Sequence, residues 1–187
     1  MARKKKYKEE EVIEKAMYLF WKKGYESTSV RMLEKEMGIN QFSVYASFGN
    51  KQGVFLESLK CYKKKIQTEL LDVLDSAKGI ESVKQYFYNF LNFSKDQEGN
   101  KGCLVTNTIN ELEDGVDTLI ADEVFKFAAN VRENFYNKLR QEERISEKEV
   151  EEKANYLIIS LQGLSVASKV FKEKELFDYI EGVFKNV

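Results

Sequence analysis

Gln41, Phe42 and Ser43, with Tyr45 and Ser47 behind them, make an uncharged run of amide, aromatic and hydroxyl groups in a chain that is 33% charged. A solvated helix face normally carries Glu and Lys, so a face of this composition is suited to meeting another surface. An amide can bond the major-groove edge of adenine twice, and an aromatic edge can touch a thymine methyl. Hydroxyls, lysines and helix N-termini suit phosphate oxygens instead, and Thr28, Ser29 and Lys51 flank the run. Arg3, Lys4, Lys5, Lys6 and Lys8 form a basic arm upstream, read as a phosphate or minor-groove contact, with a solubilising tail as the alternative. Residues 1–65 hold 15 Lys+Arg against 8 Asp+Glu, a balance of +7, and the remainder holds 15 against 23, a balance of −8. That asymmetry points to a nucleic-acid-facing head on an acidic body.

Other chemistries fare worse. The chain has no histidine, which removes Ser-His and Cys-His nucleophiles, imidazole bases and most transition-metal sites. Cys61 and Cys103 are too few for a zinc cluster or a disulfide framework. Glu111, Glu113 and Asp114 are the nearest carboxylate cluster and read as the polar end of a helix. No P-loop, EF-hand or dinucleotide fingerprint is present. We therefore expect no enzyme, no metal and no cofactor. Cys103 follows Lys101 and Gly102 near a helix start, the setting of an acidified, reactive thiol; a small buried hydrophobe is the alternative reading. No apolar run reaches the ~18 residues needed to cross a bilayer. The basic stretch at residues 3–6 leads into Glu9-Glu10-Glu11 rather than an apolar segment, so no signal peptide is expected and the cytoplasm is the expected location.

The elements that must position these groups are helices. Proline is absent and glycine numbers only 10, so little interrupts helical propensity. Val12, Ala16, Leu19 and Phe20 stripe a first helix that ends at Gly24. Ser27, Thr28 and Ser29 offer N-caps for a second, with Val30, Leu33 and Met37 inward. Gly38 breaks it, and Asn40 or Gln41 opens a third that ends near Phe48; Asn40 reads as a cap more than a base contact. A fourth runs from Lys51 to about Ser76. Segments around 80–95, Cys103–Leu112 and Val116–Arg140 follow. Ser146 and Glu149 form a capping box for a long eighth helix, and Leu176, Ile180, Val183 and Phe184 mark a ninth. Nine helices and no strand are expected. Two short helices joined by a glycine turn, the second with an uncharged outer face, describe a helix-turn-helix over about residues 29–48.

The run Ala16-Met-Tyr-Leu-Phe-Trp-Lys-Lys-Gly24-Tyr-Glu-Ser-Thr28-Ser-Val30, followed by Gly38-Ile-Asn-Gln-Phe-Ser-Val-Tyr45-Ala-Ser-Phe48-Gly-Asn-Lys51, closely resembles the DNA-binding domain of TetR/AcrR-family repressors. The resemblance spans residues 6–66. It implies an all-α, nine-helix fold: a three-helix head with the helix-turn-helix, and a ligand-binding and dimerisation body over residues 67–187. Lys101-Gly102-Cys103-Leu104-Val105 is similar to the start of the sixth helix in one branch of the family, some of whose members sense electrophiles or oxidants at that cysteine. Phe42 departs from the pattern, since many members have a small residue there.

By position, the resemblance implies phosphate contacts from Thr28, Ser29, Tyr45 and Lys51 and base-edge contacts from Gln41, Phe42 and Ser43. It implies a homodimer on a palindromic double-stranded operator, sealed by the last two helices, where Leu157, Leu161, Leu164, Ser168, Ile180 and Phe184 are the candidates. It also implies an effector site inside the body. Phe87, Phe90, Phe127 and Tyr156 are candidate lining residues, with Tyr86 and Phe135 as further aromatics; Cys103, Thr106, Asn107 and Asn110 are candidate polar points. The aromatic surplus suggests a small apolar or aromatic effector, or an electrophile at Cys103. The function expected is transcriptional repression relieved by that effector. The alternative is a helical protein-interaction scaffold without specific DNA binding, and no membrane partner is expected.

Overall fold

The computed structural model describes residues 7–74, 78–96, 99–112, 118–143, 145–185 and 187 of the chain. Nine helices lie among them: α1 (Glu9–Lys23), α2 (Val30–Met37), α3 (Gln41–Phe48), α4 (Lys51–Ile66), α5 (Gly79–Ser94), α6 (Leu104–Ile109), α7 (Thr118–Leu139), α8 (Glu147–Ala167) and α9 (Glu173–Phe184). The α4 axis continues through a π-helical turn at Gln67–Leu71 and a last stretch at Asp72–Leu74. Within this stretch Thr68 Oγ1 donates back to Lys64 O at 3.0 Å, a side-chain bond that competes with regular α geometry.

The ends fall where the caps dictate. Ser29 Oγ accepts from Met32 N, Asn40 Oδ1 from Ser43 N and Asn50 Oδ1 from Gly53 N, each satisfying an otherwise orphaned donor. Ser146 and Glu149 close the expected reciprocal box. Gly38 ends α2 with φ 69°, the left-handed region an L side chain enters at a cost, so the turn of the helix-turn-helix has a glycine.

One expectation changes. A small antiparallel hairpin, β1 (Lys95–Asp96) with β2 (Gly99–Asn100), replaces a loop without strands. Lys101 N donates to Ser94 O at 2.9 Å and so draws the two ends of this polar segment together.

Packing divides into three aromatic clusters along one axis. In the head, Phe20 of α1 meets Phe55 of α4 edge to face at 4.9 Å, over buried Leu33, Met37 and Val44. In the body, Phe87 meets Phe184 at 5.0 Å and Tyr86 meets Phe135 at 5.2 Å. Between them Trp21 of α1 packs on Tyr62 of α4 at 5.0 Å and on Phe93 of α5 at 5.2 Å. Trp21 therefore joins the head to the body as well as α1 to α4: its indole N–H donates to Gly102 O at 3.0 Å. Edge-to-face aromatic contacts of this kind add about 0.5–1.5 kcal/mol beyond their buried area. α4 thus contributes Phe55 to the head cluster and Tyr62 to the joint.

Candidate nucleic-acid interface

The outer face of α3 is held from three sides. Asn40 caps it, and the Glu34 carboxylate of α2 accepts from Gln41 N. Tyr7 Oη, just before α1, lies 2.8 Å from Ser47 Oγ and donates to Ser43 O at 3.3 Å. Val44 is buried beneath. On the free side Phe42 is 81% exposed and Tyr45 is 42% exposed. Gln41 Nε2 donates to Tyr45 Oη at 2.9 Å along that face. An exposed phenyl ring between an amide and a phenol, on a helix with one buried anchor, has no role in the head's own packing. Phe42 is thus exposed rather than packed inside the head.

The flanking anchors separate. Ser29 is exposed and caps α2. Thr28, expected beside it as a phosphate contact, is 0% exposed, and its hydroxyl donates to Gly24 O at 2.6 Å. Its single proton is already placed, so Thr28 shapes the loop, and of the two Ser29 is the hydroxyl left at the surface. Lys51 Nζ donates to Glu26 O at 3.3 Å and sits 4.3 Å from the Tyr25 ring centroid, fastening the start of α4 to the α1–α2 loop. Tyr7 and Glu34 were not singled out in the sequence. The signal for Tyr7 was an aromatic residue closing a basic run just ahead of a helix; for Glu34 it was a carboxylate seven residues before Gln41, across the turn. The basic residues Arg3, Lys4, Lys5 and Lys6 lie outside the described residues, as do Glu113 and Asp114; Lys8 is described and pairs with Glu11 at 2.8 Å.

Inside the body a cavity of about 30 Å³ is lined by Ile66, Tyr86, Phe90, Cys103, Val105, Thr106, Phe127, Ala128, Val131, Ile158, Leu161 and Gln162. Of the candidate effector contacts it gathers Phe90, Cys103, Thr106 and Phe127, together with Tyr86. The others fall elsewhere. Phe87 and Phe135 pack in the core against Phe184 and Tyr86. Tyr156 is exposed on the outer side of α8. Asn107 and Asn110 line a separate polar cavity toward α1.

Cys103 is the N-cap of α6. Tyr62 Oη donates to its Sγ at 3.4 Å, and its N–H donates to Ser165 Oγ at 2.8 Å. The cysteine thus joins α4, α6 and α8. Burial, and then the neighbouring Cys103, hold the Tyr62 phenol well above its ordinary value, so it stays a protonated donor. Lys101, the cation beside it in sequence, lies over the Trp21 ring at 4.3 Å.

The expected dimer residues also need correction. Leu157, Leu161, Leu164, Ser168 and Ile180 are buried within the monomer and Phe184 is half-buried. A helix has two apolar stripes here. The inner stripe of α8 holds Leu157, Leu161 and Leu164, and the outer one exposes Tyr156, Ile159 (67%), Gly163 and Val166, running on to Val170, with Phe177 and Tyr179 of α9 nearby. The outer spacing alternates three and four residues, the period of a helix–helix seam. Tyr179 Oη donates to Ser160 O at 3.2 Å and ties α9 to α8.

No helix among the described residues is long and apolar enough to cross a membrane, and no group of three or more potential metal ligands occurs among them. A capped two-helix motif presenting an uncharged outer face, with α4 leading from it into a helical body, defines a helix-turn-helix regulator fold. The family model described as bacterial regulatory proteins of the TetR family matches residues 12–58, the segment that carries α1 to α3 and the first half of α4.

Among curated proteins the chain is 29% identical over 112 residues to the uncharacterised HTH-type transcriptional regulator YezE of Bacillus subtilis, covering 59% of this chain and 58% of that protein. It is 30% identical over 112 residues to the HTH-type transcriptional repressor ComR of Escherichia coli, covering 59% and 53%. The match thus spans a little over half the length of these relatives. Among solved structures, the regulator CifR, as a cysteine mutant complexed with 26-base-pair operator DNA, superposes with a TM-score of 0.88 at 26% identity over 98% of both chains.

Proposed function

We propose that the chain is a homodimeric, non-enzymatic transcriptional repressor of the cytoplasm that binds a palindromic duplex operator through α3 of each copy. The observation that carries this is Phe42, 81% exposed beside Gln41 on a helix pinned by Tyr7, Asn40 and Glu34. A large apolar ring exposed on a rigid, uncharged face needs an outside partner, and the thymine methyl is one that fits. In this reading Gln41, Phe42 and Ser43 meet base edges, with Asn40 at the helix mouth. Ser29, Tyr45 and Lys51 hold the backbone in register.

The dimer supplies two heads at one helical repeat, ~34 Å apart. Its seam is the outer stripe of α8 with Phe177 and Tyr179 of α9, where Gly163 lets two backbones approach. Relief of repression uses the node at Cys103. The cavity beside it, about 30 Å³, holds little more than one or two waters. An apolar or aromatic effector entering it, or an electrophile adding to Cys103 Sγ, must separate α6 from α4 and α8. Displacing Tyr62 then moves α4, and with it the spacing of the heads. The effector shifts this equilibrium only by its preference for the open body.

Selection of binding duplexes from a random pool, followed by anisotropy titrations across a salt series, tests the reading. The expected result is a palindromic consensus bound far more tightly than scrambled duplex, with affinity falling steeply as salt rises. Equal affinity for every duplex would overturn it.

A further inference from the structure

The first turn of a helix leaves backbone N–H groups without intrahelical partners, and that end of the helix dipole attracts anions. In α3, the second helix of the motif, these donors are taken up within the chain. Gln41 N donates to the Glu34 carboxylate of α2, Ser43 N to Asn40 Oδ1 at 2.9 Å, and Val44 N to Asn40 O at 3.0 Å. A phosphate brought to the mouth of α3 therefore meets a fixed negative charge where a helix ordinarily offers a positive end. The mouths of α2 and α4 differ. Neutral side chains, Ser29 and Asn50, cap them, and neither has an acidic residue in its first turn. They stay suited to phosphate, with Lys51 at the start of α4.

Glu34 is held where it stands. Its neighbours on the inner face of α2, Leu33 and Met37, are buried in the head, while Glu34 itself is half-buried and reaches across the Gly38 turn to the first residue of α3. In a helix-turn-helix the N-terminal residues of the second helix meet base edges. A carboxylate bonded to the first N–H of that helix therefore comes to the groove together with Gln41 and the exposed ring of Phe42.

Ionised, the group only accepts, and the bond from Gln41 N uses one of its about four acceptor positions. The major-groove edges offer it two amino donors, adenine N6 and cytosine N4. Adenine sets the N7 acceptor beside its donor, a pattern that an amide completes and a carboxylate opposes; cytosine presents the donor without N7. Thymine O4 and guanine O6 are acceptors and repel it.

We propose that Glu34 is a specificity-determining residue of the DNA-binding head: its carboxylate bars phosphate from the mouth of α3 and accepts from the N4 amino group of one cytosine in each half-site. This deepens the operator-binding reading and rests on it. The charge weakens binding to duplex in general and is offset where a cytosine meets it. Phosphate contacts fall to Ser29, Tyr45 and Lys51.

Selection from a random duplex pool with the full chain and with Glu34→Gln, followed by anisotropy titrations at one salt concentration, tests it. Glutamine keeps an oxygen to accept from Gln41 N and removes the charge. The parent is expected to select a cytosine at one position of each half-site. Exchanging that C·G pair for T·A, which puts an acceptor in place of the donor, is expected to weaken the parent roughly tenfold. This exchange is made in the duplex and is read on the unmodified protein. Glu34→Gln is expected to lose most of that difference, to keep the rest of the consensus, and to bind scrambled duplex severalfold more tightly than the parent. A parent consensus without a cytosine position would overturn the proposal and leave the operator reading standing. So would undiminished cytosine discrimination by a Glu34→Gln protein whose circular dichroism matches the parent. A parent that selects no consensus at all would overturn both.

Discussion

The outer faces of α3 and α8 both expose large apolar side chains, yet they are built differently. On α3 one wholly apolar ring, Phe42, stands among the polar groups of Gln41, Ser43 and Tyr45. On α8 the apolar groups recur along the helix, at Tyr156, Ile159 and Val166, and on to Val170, with Gly163 between. A wet, polar partner such as a DNA groove calls for a few directed hydrogen bonds and one methyl contact. A second copy of the same helix calls for a continuous dry seam. Exposure alone marks both faces; the chemistry between the exposed rings tells them apart.

The comparison breaks first at the seam. Ile159→Glu with Val166→Glu places two carboxylates in the dry interface of each copy and leaves the monomer core, Leu157, Leu161 and Leu164, intact. Burying an unpaired charge costs several kcal/mol. The expected result is a monomer by sedimentation with unchanged helical content, and operator affinity reduced by roughly 100-fold or more as one head is left to bind alone. A variant that stays dimeric would move the seam elsewhere.

The α3 face breaks differently. Phe42→Ala and Gln41→Ala are expected to cost about 1–3 kcal/mol each of operator discrimination, leaving the salt slope and the dimer unchanged. Lys51→Ala should weaken all duplexes alike and flatten the salt slope by about one. Anisotropy titrations with operator and scrambled duplex separate the two. If Phe42→Ala weakens both duplexes equally, the ring does not read sequence.

These two faces were not equally legible in the sequence. The head carries many spaced positions whose geometry admits few residue types: the glycine of the turn, the caps at Ser29 and Asn40, the small and aromatic core of α1. They fixed the helix boundaries to within a residue. Thr28 was misassigned because a hydroxyl before a helix suits a phosphate and a loop carbonyl equally, and only burial decides. In the body, helical period located each element but not its rotation. Leu157 and Leu161 alternate with Tyr156 and Ile159 on one helix, and a stripe of either set satisfies the same pattern. Which of them faced inward depended on α7 and α9, which are distant in sequence. The Cys103 contacts from Tyr62 and Ser165 were invisible for the same reason. The hairpin at 95–100 escaped because two-residue strands carry no period.

A finer test lies with Tyr7, which ties the segment before α1 to α3. Tyr7→Phe removes the bonds to Ser43 O and Ser47 Oγ and keeps the ring. Bonds of this kind contribute about 0.5–1.5 kcal/mol. Thermal stability is expected to fall by that amount, and operator affinity severalfold as α3 loses one restraint. Equal loss on operator and scrambled duplex would assign Tyr7 to stability alone.

The smallest effect concerns the link between the two regions. Lys63 of α4 pairs with Glu123 of α7 at 2.6 Å, tying the helix shared with the head to the body. The hydrogen bond and charge of Lys63 hold the Glu123 carboxyl below its ordinary value of 4.5. Its folded value is thus depressed relative to the unfolded chain, so the pair stabilises fully above the ordinary carboxylate value and loses that contribution as pH falls through the folded value. Both side chains are partly solvated, 27% and 39% exposed, and such a pair contributes about 0.2–1 kcal/mol. Glu123→Gln is expected to be less stable than the parent by that amount at pH 7, with the two unfolding curves converging in acid below pH 4.5. A difference independent of pH would mean that Glu123 acts by packing rather than charge, and α4 would then be held to the body by its aromatic contacts at Tyr62.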